Sequence, residues 1–115
     1  MSGHVVVLST VARAEDGERL ARALVERGLA ACVSVVPGLV STYRWEGEVR
    51  RDDERLLVIK TRADRYDDLR AALVELHPYE VPEVLALSVA AGHGPYLEWL
   101  DACVGADETN RRSRG

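Results

Sequence analysis

Hydrophobic and polar positions alternate with three different rhythms along this chain. Val5-Val6-Val7-Leu8 is a continuous, mostly β-branched run. That pattern fits a strand buried on both faces and predicts a first strand over residues 4–11. The period then lengthens. Leu20 and Leu24 fall on one helical face with Ala21 and Val25 beside them, which predicts a helix over residues 14–27. Gly17 weakens its first turn by about 1 kcal/mol relative to Ala, and Gly28 stands where a left-handed cap is expected.

The next stretch, residues 28–59, is read as one long hairpin. Val33, Val35, Leu39, Tyr43 and Trp45 share one parity, and Ser34, Thr42, Arg44 and Glu46 share the other. Period two with β-branched and aromatic residues marks a half-buried strand. Pro37-Gly38 cannot continue a regular ladder, so a bulge or bend is expected there. Glu46-Gly47 is the turn. The return arm carries the charged run Arg50-Arg51-Asp52-Asp53-Glu54-Arg55 before Leu56-Leu57-Val58-Ile59. Such a hairpin is too long for a small domain to cover. Its far end, with Tyr43 and Trp45, is expected to pack against a second chain.

Helical spacing returns over residues 63–76, where Tyr66, Leu69, Leu73 and Leu76 form one stripe. Asp64 is the expected N-cap, with Asp67 and Asp68 in the first turn. Pro78 ends the helix and makes His77 extended. Residues 83–89 read as a fourth strand around Val84-Leu85-Ala86-Leu87, and Gly92-His93-Gly94 as a loop. Pro95 opens a short third helix, with Tyr96, Trp99, Leu100 and Cys103 expected to face inward. Residues 105–115 are small, charged and aperiodic and read as a disordered tail behind a single domain, residues 1–104. The order β-α-β-β-α-β plus a terminal helix is that of an α+β, ferredoxin-like plait: a four-stranded sheet with two helices on one face.

Composition narrows the function. The 115 residues hold 15 cationic and 19 acidic side chains, a net charge of −4. That balance argues against nonspecific binding to nucleic acid or anionic membranes. No apolar run approaches the ~20 residues of a membrane span, and Val5-Val6-Val7-Leu8 has neither the length nor the flanks of a signal peptide. Two cysteines are too few for a disulfide scaffold. A cytoplasmic location with free thiols is expected.

Candidate chemistry is sparse. There is no nucleophile elbow, phosphate-binding glycine loop, His-Glu-x-x-His or Cys-x-x-Cys motif, so a non-enzymatic protein is expected. Ser9-Thr10 reads as a cap at the end of the first strand. His77-Pro78-Tyr79-Glu80-Val81-Pro82-Glu83 gathers an imidazole, a phenol and two carboxylates within seven residues. His77, Glu80 and Glu83 are candidate ligands for a divalent ion. The same residues serve equally as a helix stop, a packed ring and a solvated loop. Cys32 is a further candidate ligand, or a small buried hydrophobe with no basic neighbour close in sequence. His4 and His93 are expected to be solvated. Tyr43-Arg44-Trp45 can be read as a base-stacking platform, but a hairpin tip buried between subunits explains it more simply. With a two-residue turn, Arg50 lies opposite Tyr43.

Several of these stretches carry a family pattern. Ala30-Ala31-Cys32-Val33, Pro37-Gly38, Tyr43-Arg44-Trp45-Glu46-Gly47, Ile59-Lys60-Thr61, the His77–Glu83 run and Tyr96-Leu97-Glu98-Trp99-Leu100 together resemble the CutA family of divalent-cation tolerance proteins. The resemblance spans residues 4 to 104 with a fixed order of motifs. It implies the ferredoxin-like fold, a homotrimer, and a role in the response to copper and other divalent cations, with no obligatory cofactor. Copper ligands proposed in the family are a cysteine on the first strand and two adjacent histidines before Pro-Tyr. Here those positions hold Ser9 and the pair Leu76-His77, so only His77 remains, and copper affinity is expected to be micromolar or poorer. Two other readings stay open. One is a trimeric small-ligand sensor like the nitrogen-regulatory PII proteins, on fold analogy. The other is a stable structural platform for a protein partner.

Overall fold

The structure is a computed structural model and describes residues 3–104. The tail expected at residues 105–115 lies outside them. Strand β1 (His4–Val11) leads to helix α1 (Ala14–Glu26), then β2 (Cys32–Trp45) and β3 (Glu48–Arg62). A 3₁₀ turn (Ala63–Arg65) enters α2 (Tyr66–Leu76), followed by β4 (Leu85–Ser88) and α3 (Gly94–Val104). The sheet order is β2-β3-β1-β4, and every neighbouring pair is antiparallel. This is the expected mixed α+β plait.

The sheet is two-faced because the strands alternate. Val5, Val7, Val11, Leu57 and Ile59 are fully buried together with Leu20 and Leu24 of α1 and Leu69 and Leu73 of α2. The stripe predicted on α2 is therefore its core face. Gly17 also belongs to this packing. A Cβ there would stand 3.4 Å from Val35 and 3.5 Å from Val11, so the residue that weakens α1 lets the helix lie close to the sheet. Gly28 has φ 70 and ends α1 as a left-handed cap.

The opposite face of the sheet has an apolar centre, flanked by Ser34, Lys60 and Thr10, and carries neither α1 nor α2. The register places Val6 beside Leu87, Leu8 between Leu85 and Val58, and Val36 beside Leu56. Leu85 is 56% exposed and Leu87 53%. Beyond Val11↔Arg55, β3 has no partner in β1. Residues 39–54 continue as a two-stranded ribbon about 20 Å long. The extents of 51 × 29 × 22 Å reflect that overhang.

Four sequence expectations need correction. The first is the shared parity of Val33, Val35, Leu39, Tyr43 and Trp45. Val36 pairs with Leu56 but Leu39 with Glu54, so one extra residue enters at Pro37-Gly38, where Gly38 has φ 82. The bulge turns Leu39, Tyr43 and Trp45 to the face opposite Val33 and Val35. Second, Asp64 is no N-cap. Its carboxylate holds the Arg62 guanidinium at 2.5 and 3.0 Å, and the 3₁₀ turn makes the entry to α2. Third, β4 spans only Leu85–Ser88, because its ladder begins where Leu85 meets Leu8. Fourth, Leu100 and Val104 are the buried residues of α3, with Cys103 beside them, while Tyr96 and Trp99 are 42% and 47% exposed. Eleven residues make three turns, and only one side of them meets Ala31 and the sheet.

Candidate functional site

A cleft of about 690 Å³ lies where the ribbon leaves the sheet. Its floor and one wall come from Thr10, Tyr43, Trp45, Arg50 and Glu54, and the other wall from Tyr79, Glu80, Val81 and Glu83. The ribbon supplies its side because the bulge has put Tyr43, Trp45, Arg50 and Glu54 on one face. The second wall is fixed by the turn after α2. Pro78 stops the helix, and His77 anchors the chain that follows.

His77 is 8% exposed, and both ring nitrogens are occupied. Nε2–H donates to the Thr10 carbonyl at 2.9 Å, and Nδ1 accepts the Tyr79 backbone N–H at 3.1 Å. This bonding requires the neutral Nε2–H tautomer. Burial lowers the imidazole pKa below its ordinary value, and the bond to Thr10 offsets that only in part. Tyr79 then lies with its ring 4.8 Å from that of His77 and donates its hydroxyl to Glu54 Oε2 at 2.6 Å. Burial, and next the bond to Glu54, raises the phenol well above its ordinary range. Glu54 is itself 8% exposed, and no lysine or arginine lies within salt-bridge distance of it among the described residues.

At the open end, Tyr43 donates its hydroxyl to Asp52, and that bond is the main reason its pKa is raised. Tyr43 stands opposite Arg50, as a two-residue turn requires. The Arg50 guanidinium reaches Glu46 at 3.7 Å. The turn residues Glu46 and Gly47 both have positive φ, 51 and 81, the combination of a type I′ hairpin.

The candidate metal ligands are dispersed by this geometry. Glu80 and Glu83 line the cleft and are exposed. His77 sits behind Tyr79, committed to the backbone. Cys32 is elsewhere, on the open face of the sheet at the far end of the bulge. Among the described residues no three His, Cys, Asp or Glu side chains are grouped to hold a metal ion. Cys32 does have a basic neighbour, which strand pairing hides from local sequence: Lys60 stands opposite it and places Nζ 3.7 Å from Sγ and 2.8 Å from Ser34 Oγ. Ser9 does not cap a strand. It is fully buried inside β1, and its hydroxyl has no partner among the described residues. His4 is half-buried and meets Asp101 at 2.9 Å rather than being solvated.

Sequence reasoning missed Glu54, which was submerged in a charged run. The available signal was its neighbour: Glu54 is the last acidic residue before the apolar run beginning at Leu56, where a ribbon joins a core.

The model of the family described as CutA1 divalent ion tolerance protein matches residues 5–103. The divalent-cation tolerance protein CutA of Thermus thermophilus is 52% identical over 95 residues, which cover 83% of this chain and 92% of that protein. The chloroplastic protein CutA of Arabidopsis thaliana is 48% identical over 96 residues, 84% of this chain but 53% of that longer protein. A solved structure of the Thermus thermophilus protein superposes with a TM-score of 0.86 at 49% identity, covering 89% of this chain and 99% of the other. Motif order, fold and these similarities agree, and the chain belongs to the CutA1 divalent ion tolerance family.

Proposed function

We propose that this divalent-cation tolerance protein acts as a homotrimer, without catalysing a reaction, in the response to metal ions. The observation that carries the assembly is the bare apolar sheet face beside the overhanging ribbon. Leu85, Leu87 and Val36 are 56%, 53% and 42% exposed and continuous with Val6, Leu8, Leu56 and Val58 through the ladder. A contiguous apolar surface of this kind favours association. Copies packed on this face would bring each ribbon, with Tyr43 and Trp45, against a neighbour. The nearest approach to a nucleophile–base pair, Ser34 with Lys60, lies on this same face and away from the cleft, which supports a non-enzymatic role.

Metal contact on this reading is weak and carboxylate-based, at Glu80 and Glu83. His77 would contribute only by giving up the Tyr79 N–H, and Cys32 only from another place on the molecule. Copper or another divalent ion is therefore a transient ligand rather than a resident cofactor. Two free thiols fit a reducing compartment such as the cytoplasm, although the Arabidopsis relative is named as chloroplastic. Among the described residues no helix is long and apolar enough to cross a membrane.

Light scattering and a Cu(II) titration test the two parts separately. A trimer is expected at micromolar concentration, and a monomer there would refute the assembly. Cu(II) is expected to bind at micromolar or poorer affinity, and equally to wild type and His77→Ala. Nanomolar binding, or binding abolished in His77→Ala, would show that the imbalance between soft and hard ligands has been misjudged.

A further inference from the structure

His4 holds both ends of the connection between β4 and α3. Its carbonyl accepts the Val89 N–H at 3.0 Å, where the chain leaves the sheet. Its side chain donates Nε2–H to Asp101 Oδ1 at 2.9 Å, where α3 passes over the start of β1. The imidazole is 17% exposed and the carboxylate 47%. Arg62 stands opposite His4 in the ladder. Asp64 holds the Arg62 guanidinium, and the charge of Asp101 acts on it as well. The apolar seat of α3 is small. Leu100 and Val104 meet Ala31 in a cluster separate from the core that holds α1 and α2. Gly92 and Gly94 stand at the entry to the helix, where residues without a Cβ can absorb a rotation of the backbone.

We propose that α3 is a hinged strap, fastened to the sheet by the His4–Asp101 clasp, and that it opens while the plait stays folded. A segment with few buried apolar residues opens at a free energy well below that of the core, and α3 buries only Leu100 and Val104. The clasp joins the helix to the one residue that also anchors the start of its connection, so breaking it frees the strap from both β1 and its own hinge. An 11-residue helix is marginal in water away from its seat, so opening also frays it. Opening bares Ala31, which is 8% exposed when the strap is closed, and it carries the Tyr96–Trp99 pair away from the sheet as one unit. This inference goes beyond the metal response and does not depend on it or on assembly, because every contact it uses lies within one copy of the chain.

The test is hydrogen exchange of backbone amides in the full-length protein, read by mass spectrometry at one protein concentration, with α2 as the internal control. In wild type the amides of α3 should exchange faster than those of α2. His4→Ala and Asp101→Ala should each speed exchange in α3 by roughly threefold to tenfold and leave α2 unchanged. Asp101→Ala leaves the strand untouched, which covers the case in which His4→Ala disturbs β1. The double variant should exchange no faster than the faster single one, because both substitutions break the same bond. Protection of α3 equal to that of α2 in wild type would overturn the proposal. So would unchanged α3 rates in both single variants, additive effects in the double variant, or α2 rates that rise in step with those of α3.

Discussion

His77 offers the sharpest test of how the site is built, because two of its bonds hold the wall of the cleft. Replacing it with alanine leaves the Thr10 carbonyl and the Tyr79 N–H without the ring that joins them. Each such loss at a buried position costs about 1–2 kcal/mol, and the vacated volume adds to it, so His77→Ala should lose about 2–4 kcal/mol of stability. The pH dependence separates this role from simple packing. The folded chain favours the neutral ring, since burial lowers the pKa below 6.5, whereas the unfolded chain takes up its proton at the ordinary value. The stabilisation is therefore complete above that value and is lost progressively as pH falls below it. The slope for one group is at most about 1.4 kcal/mol per pH unit. Urea melts at one protein concentration, at about pH 7.5 and about pH 5.5, measure it. Wild type should lose more stability between the two than His77→Ala does. Equal losses would show that the imidazole is not held neutral and that the assigned bonding is wrong.

Other residues give further tests. Trp45→Ala should loosen the proposed trimer by about 2 kcal/mol or more while leaving the plait folded, read by light scattering against circular dichroism. The wild-type melting temperature should rise with protein concentration, and a constant value over a wide range would separate folding from assembly. Ser9→Ala should be neutral or stabilising by up to about 1 kcal/mol, because the buried hydroxyl it removes has no partner among the described residues; a clear loss in a thermal melt would reveal a bond to Ser9 Oγ. Glu46→Gly should gain about 0.5–1 kcal/mol by relieving φ 51 at the turn, and a loss would show that the Glu46–Arg50 pair matters more.

Most of the architecture was legible because local signals and burial agree. Leu69 and Leu73 are spaced for one helix face and are both fully buried. Gly28, placed after the last helical turn, has the left-handed φ its position calls for. The readings that failed depend on partners that the local pattern does not single out. Asp64 looked like a cap until Arg62 claimed it. Cys32 looked remote from any base until strand pairing brought Lys60, 28 residues away, beside it. Tyr96 and Trp99 looked like core because they are large and aromatic, but a three-turn helix docking on Ala31 with Leu100 and Val104 has no second surface to cover them. Their rings lie 5.5 Å apart and shield one another instead.

The cleft was hidden for a different reason, and Pro37-Gly38 explains it. Strict alternation carried through those two residues would put Tyr43 and Trp45 on the face of Val33 and Val35, toward the helices. It would leave Glu54 as one charge in a solvated run. The single extra residue reverses the first assignment and so gives Glu54, whose own face is set by β3, aromatic neighbours. Leu39 comes to lie opposite Glu54, so the aromatic residues of β2 and the acidic residue of β3 share a face, and that face meets Tyr79 arriving from α2. A one-residue shift in a strand exchanges its two faces, and here the exchange converts a plain hairpin into the wall of a cavity. The prolyl ring donates no backbone hydrogen bond and Gly38 accepts φ 82, so these residue types tolerate the irregularity at low cost. The bulge thus links sequence to site: it separates a core half of β2, which packs on α1, from a ribbon half that builds the cleft.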